Sequence, residues 1–200
     1  VTPSSSCVSN SDAQGRIVLL VFATTVALAA CAPAVVVRDP PPSPMAQSAV
    51  ANLAAASGSL VSGRLQLMPM AMNGIDGVHL SGEIGGLAPN SIHGLHVHQI
   101  GNCSAADASS AGDHFNPTQR AHGKSGLGEH HAGDMDNISA NPAGVARVNV
   151  HLHGVTLGTG MANDIGNRAV VVHTAPDDYR SQPAGNSGAR IACGVIAVTR

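Results

Sequence analysis

From about residue 58 onward, aliphatic and polar side chains take turns in short runs: "LVSGRLQLM", "GVHLSGEIGGL", "HGLHVHQI", "GVARVNVHLHGVTL", "NRAVVVHTA" and "RIACGVIAVT". Gly, Asn and Pro separate them. A period of two sends successive side chains to opposite faces of a strand, so each run predicts a β-strand with one face inward. Helical periodicity is almost lacking, and the spacing of turn residues predicts an antiparallel β-sandwich or barrel. From residue 102 to residue 137 no run alternates convincingly. A loop of that length in a small domain is functional or disordered.

Upstream the pattern differs. "IVLLVFATTVALAA", residues 17–30, is a 14-residue apolar run behind a single positive charge, Arg16. It is short for a membrane span and suits the apolar region of a signal peptide. Its end, "LAAC" at residues 28–31, looks like a bacterial lipobox, which implies a lipidated Cys31 as the mature first residue and attachment to a membrane. The lead-in before Arg16 reads as translation from too early a start. Residues 1–30 are therefore expected to be removed. Residues 31–57, with Pro40, Pro41, Pro42 and Pro44 followed by small residues, read as a tether that is stiff and then flexible. The folded domain is expected over residues 58–200.

Composition narrows the options. The 200 residues include two Phe, one Tyr and no Trp, while Gly and Pro together number 35, so the core must be built from Val, Ile, Leu and Ala. A formal charge of −2, one lysine and no basic run leave no electrostatic footprint for nucleic acid. Of four cysteines, Cys7 precedes the signal run and Cys31 is spent on lipid. Cys103 and Cys193 are left as a pair that in an oxidising compartment can close one bridge. Such a bridge would be worth roughly 4–5 kcal/mol in the chain-entropy model. Two buried thiols, or a reduced pair on a metal, are the alternatives.

The anomaly is histidine. All eleven fall between His79 and His173. In "HGLHVHQIGNC", His96 and His98 alternate with Leu95 and Val97, so an extended strand puts both imidazoles on one face. His114, His122, His130, His131 and Asp134 follow in the long loop, and His173 lies far downstream. Imidazoles gathered with a carboxylate suit copper and zinc. "VHLHG" supplies a second H-x-H, His151 and His153, which spacing alone could equally choose.

"HGLHVHQIGNC", "GDHFNP", "HAGD", "VVVHTAPDD" and "GNSGARIACGVIAV" occur in this order over roughly residues 60–200. Together they resemble the bacterial copper, zinc superoxide dismutase family. The resemblance implies a Greek-key antiparallel β-sandwich or barrel with long metal-binding and active-site loops. It implies one copper per subunit on His96, His98, His114 and His173. It implies one zinc on His114, His122, His131 and Asp134, with the His114 ring shared between the ions. Asp177 would join His96 to His122, Arg190 would stand beside the open copper position, and Cys103 and Cys193 would be disulfide-bonded. His131 is preferred to His130 because it stands three before Asp134, as in the family's H-x-G-D. His79 and His93 read as structural. Asn167 stands where the family usually has Gly, and Asn tolerates a positive φ.

The implied activity is disproportionation of superoxide to O₂ and H₂O₂, with Arg190 and His114 catalytic, in the periplasm or cell envelope and anchored through Cys31. Two other classes compete. A non-enzymatic copper/zinc buffer or chaperone would not require Arg190, and a cell-surface interaction module would leave the histidines unexplained. Oligomeric state is left open between monomer and homodimer.

Overall fold

The structure, a computed structural model, describes residues 48–199. The signal run, Cys31 and the tether as far as residue 47 lie outside the described residues. Nine strands follow in order: β1 (Ser48–Ala55), β2 (Ser62–Met72), β3 (Ile75–Gly85), β4 (Ile92–His93), β5 (Leu95–His98), β6 (Ile138–Ser139), β7 (Ala146–His153), β8 (Ala169–His173) and β9 (Arg190–Thr199). Seven form one antiparallel sheet in the order β5-β8-β9-β1-β2-β3-β7, and β4 pairs with β6. This is the all-β antiparallel architecture expected. The stretch from 102 to 137 holds one turn of 3-10 helix, Ser109–Ala111, and no strand.

One boundary is corrected. The tether expected over residues 31–57 gives way at Ser48 to β1, which pairs with both β2 and β9. Ala49, Ala51 and Leu53 alternate inward there and are buried. Small residues carry a weak hydrophobic signal, so the strand reads in sequence as a continuation of the Ala-rich linker. At the other end of β2 the strand runs further than expected, because Asn73 and Gly74 (φ 54° and 76°) make a two-residue hairpin to β3. Both positions need positive φ, which is the Asn-Gly preference.

The sheet is curled, and the residues of its two ends share one core. Leu95, Val97, Val170 and Val172 from β5 and β8 pack in the same cluster as Leu80, Val148 and Leu152 from β3 and β7. At the β5-β8-β9 end both faces are covered. Leu95 and Val97 face the core, while Ala169, Val171 and Cys193 face a smaller cluster with Ala108 and Ala111 of the long loop. The loop is fastened there by the Cys103–Cys193 disulfide, so the open alternatives for that pair close. Asn167 has φ 59°, the conformation for which Gly would be the usual choice.

Candidate metal centre

His96 and His98 project from the loop-covered face of β5, and both are buried. The long loop folds back over them as though it were a further strand. Phe115 N–H donates to the Val97 carbonyl (2.8 Å), Val97 N–H to Gly133 (2.9 Å) and Gly133 N–H to Phe115 (2.9 Å). These bonds set His114 opposite His98 and Asp134 opposite His96. A side chain at residue 133 would place its Cβ 2.2 Å from the Val97 carbonyl oxygen, so only Gly permits this approach. On the next strand His173 follows Ala169 and Val171 onto the same face by alternation, and a register shift after Val172 pairs it with Arg190.

Two four-residue groups result, each with its ligand atoms within 4.8 Å of one another: His96, His98, His114 and His173, and His114, His122, His131 and Asp134. His114 belongs to both. In the first group the backbone and Asp177 decide which ring nitrogen is left free. His98 Nδ1–H donates to the Gly112 carbonyl (2.8 Å) and His173 Nδ1–H to Gly188 (3.2 Å), leaving both Nε2 atoms inward and 3.4 Å apart. His96 instead gives Nε2–H to Asp177 (2.9 Å), which leaves its Nδ1. In the second group the Nδ1 atoms of His114, His122 and His131 lie 2.8, 3.0 and 3.3 Å from the one carboxylate of Asp134. Asp134 is itself held by the backbone N–H groups of Gly123 and His131.

The donor set fits two metal ions. His96 Nδ1 and His114 Nε2 are buried ring nitrogens without a hydrogen-bond partner, and the buried Nδ1 atoms of His122 and His131 approach the Asp134 carboxylate without an aligned hydrogen bond. Such atoms are costly unless a ligand meets them. All-imidazole donation suits copper, and three imidazoles with one carboxylate suit tetrahedral zinc.

Asp177 joins the groups, accepting from His96 Nε2 and from His122 Nε2, both at 2.9 Å. Its own position rests on residues the sequence did not mark. Asn137 exchanges two hydrogen bonds with the Asp177 backbone (2.8 and 2.9 Å), and Tyr179 N–H donates to the carboxylate. Gln182 makes a similar exchange with the backbone of His122. Gly185 leaves room for the carboxylate, since a Cβ there would lie 1.8 Å from it.

The electrostatics follow from burial and pairing. Burial, with the neighbouring imidazole of His114, pushes His98 down to about 2, and burial with His96 nearby pushes His173 down to about 3. Burial also takes His114 down to about 4 against the pull of Asp134. For His122 the order reverses: burial lowers it, but the adjacent carboxylates of Asp134 and Asp177 prevail and raise it to about 9. Asp134 and Asp177 are held well below the usual carboxylate range, the imidazole hydrogen bonds outweighing burial.

A cleft of about 400 Å³ opens onto the groups, and His98, His114, His131, His173 and Arg190 line it. Arg190 also braces the loop, donating to the carbonyls of Ala108 and Gly112, both at 2.7 Å. Gly112 thus accepts from both Arg190 and His98. Every site residue expected in the domain is brought to this region except the disulfide pair, which lies beneath it. His130 stays outside, bonded to the Gly128 carbonyl. His93 is structural, its Nδ1–H donating to the His173 carbonyl (2.7 Å). His79, His151 and His153 gather elsewhere.

The family model described as copper/zinc superoxide dismutase (SODC) matches residues 61–196. "Superoxide dismutase [Cu-Zn] 1" of Aquifex aeolicus (strain VF5) is 45% identical over 123 residues, 60% of this chain and 73% of that protein. "Superoxide dismutase [Cu-Zn] 3" of Arabidopsis thaliana is 40% identical over 126 residues, 60% of this chain and 74% of that protein. Among solved structures, a double mutant of a SOD-like protein from Bacillus subtilis superposes with a TM-score of 0.65 at 32% identity, covering 74% of this chain and 96% of that one. The family model spans more than half of the chain and the first of these relatives is 45% identical, so the chain belongs to the copper/zinc superoxide dismutase family.

Proposed function

We propose that the protein disproportionates superoxide, with copper held by His96, His98, His114 and His173 and zinc held by His114, His122, His131 and Asp134. The observation that carries this assignment is the single ring of His114, common to two complete ligand groups and offering Nε2 to one and Nδ1 to the other. Copper held by the first group would supply one-electron redox chemistry, by which one superoxide is oxidised to O₂ and a second is reduced, with two protons, to H₂O₂.

The rest is done by the chain. Arg190 lines the cleft with a positive charge and planar donors for a small anion. Gly112 and Gly188 fix the tautomers of His98 and His173, so both present Nε2 without rearranging. His114 Nε2 is the atom placed to hand a proton to the reduced product, since Nδ1 faces the Asp134 group. Asp177 locks the ring orientations of His96 and His122 together, so the two groups cannot drift apart. A metal buffer would need the ligands but neither the cleft nor the arginine at its edge.

The protein is further proposed to act in the cell envelope, tethered through a lipid on Cys31. The apolar run ending in "LAAC" supports the anchor, and the Cys103–Cys193 disulfide supports an oxidising compartment. The testing experiment is metal analysis of the purified protein with superoxide decay followed by pulse radiolysis. One copper and one zinc with rapid decay are expected. Both metals bound without turnover would overturn the enzymatic assignment.

A further inference from the structure

The second H-x-H, His151 and His153, belongs to neither ligand group, yet it does not stand alone. His151 is the cross-strand partner of His79, and His153 that of Gly77. On the other side of β3, Met68 is the partner of His79 and Met70 that of Gly77. Direct partners share a face, and residues two apart along a strand do too. Met68, Met70, His79, His151 and His153 therefore all project from the outer face of three adjacent strands about 4.8 Å apart. The thioethers flank β3 on one side and two of the imidazoles flank it on the other.

Gly77 makes this face a hollow. Placed in the middle strand between Met70 and His153, it has no side chain, and the His151 ring leans into the space, its Nε2 2.6 Å from where a Cβ would be. The His151 and His153 ring centroids are 4.5 Å apart, and His79 is 6.5 Å from His151. The hydrogen-bonding of the rings is the second observation. Among the described residues, the buried side-chain nitrogens and oxygens without a partner are eight ring nitrogens: four in the metal centre, and four here, on His79, His151 and His153. Both nitrogens of His151 are among them. A histidine kept only for packing would be expected to bond at least one nitrogen, as His93 does.

We propose that this outer face of β2, β3 and β7 is a third metal site, which takes copper in its cuprous state between the adjacent imidazoles of His151 and His153, with thioether donation from Met68 and Met70. Thioether and imidazole together are soft donors that select Cu(I) over harder cations. Asp136, which lines the adjoining cleft with His151 and His153, lies 3.9 Å from Lys124. Met68 and Met70 are 47% and 39% exposed, so the face is open to an ion arriving from solvent or from another copper-carrying molecule.

The test uses the full protein with both buried sites already filled. Cu(I) is titrated anaerobically against bicinchoninate as competing chelator, and the copper X-ray absorption edge is measured. One further equivalent of Cu(I) is expected, with sulfur among its scatterers. The double replacement His151→Asn with His153→Asn should lose that equivalent. Met68→Leu with Met70→Leu, which preserves side-chain volume on an exposed face, should weaken it tenfold or more. Dismutase turnover should be unchanged in both variants, which also reports that they are folded. The proposal fails if the filled protein takes no further copper. It fails equally if the extra copper survives loss of His151 and His153, or if Zn(II) binds there as tightly as Cu(I) and the Met replacements change nothing.

Discussion

At the scale of single residues, the centre is a balance of imidazoles that must be neutral and carboxylates that must be charged. His98, His114 and His173 are pushed down to about 2, 4 and 3, so between those values and about 6.5 the unfolded chain binds more protons than the folded one. Stability of the metal-free protein must then fall as pH falls through that window. His122 works in the opposite sense. Raised to about 9, it holds a proton that the unfolded chain has already released above about 6.5, so its contribution is lost as pH climbs toward 9. Metal-free protein should therefore be most stable near pH 6.5, with urea midpoints lower at both pH 4.5 and pH 9. A midpoint rising steadily from pH 6.5 to 9 would exclude the His122 assignment. Asp177 gives a sharper test. Asn in its place can accept from one ring nitrogen but turns a donor toward the other, so Asp177→Asn should weaken zinc on the order of 10–100-fold, read by chelator competition.

At the scale of elements, the long loop has no regular structure beyond one 3-10 turn and is ordered by fastenings. Cys193 on β9 holds Cys103 at its start, and Arg190, three residues earlier on the same strand, holds Ala108 and Gly112. The two act on one segment, so releasing the first should loosen the second. Cys193→Ser is expected to raise hydrogen exchange over residues 103–112 and to lower turnover while metal content holds. Full turnover with a loosened loop would separate the bridge from the position of Arg190. This arrangement also explains what could be read in advance. The expected ligands were legible through motifs that resemble a known family's, including the H-x-G-D that favours His131 over His130, because spacing alone does not separate His96 and His98 from His151 and His153. Asn137, Tyr179 and Gln182 were not. They act through backbone groups 40 to 60 positions away or through a two-residue turn, and no local pattern marks such a contact. β1 was missed for a different reason, since alternating alanines bury too little area to stand out from a linker.

At the scale of the whole molecule, the charge distribution decides how the substrate anion arrives. A formal charge of −2 with a single lysine gives no long-range attraction, so any guidance must come from groups within a Debye length of the cleft, about 8–10 Å in physiological buffer. Arg190 is the cation that lines it, and Asp113 lines it too and partly offsets the attraction. Superoxide dismutases as a class work near the diffusional ceiling, where capture of the anion limits the rate. Arg190→Lys keeps the charge but loses the planar pair of bonds to Ala108 and Gly112, and should be the mildest change. Arg190→Ala should be intermediate and Arg190→Glu worst, with copper and zinc contents near wild type throughout. Asp113→Asn should raise the rate. Salt separates attraction from bracing. Pulse-radiolysis rates should fall with ionic strength in the wild type, flatten in Arg190→Ala and rise in Arg190→Glu, because screening removes an attraction in the first and a repulsion in the last. If Lys, Ala and Glu fell together with loss of metal, Arg190 would serve only as a brace. A wild-type rate indifferent to salt, or a Glu variant as fast as wild type, would remove the guidance altogether.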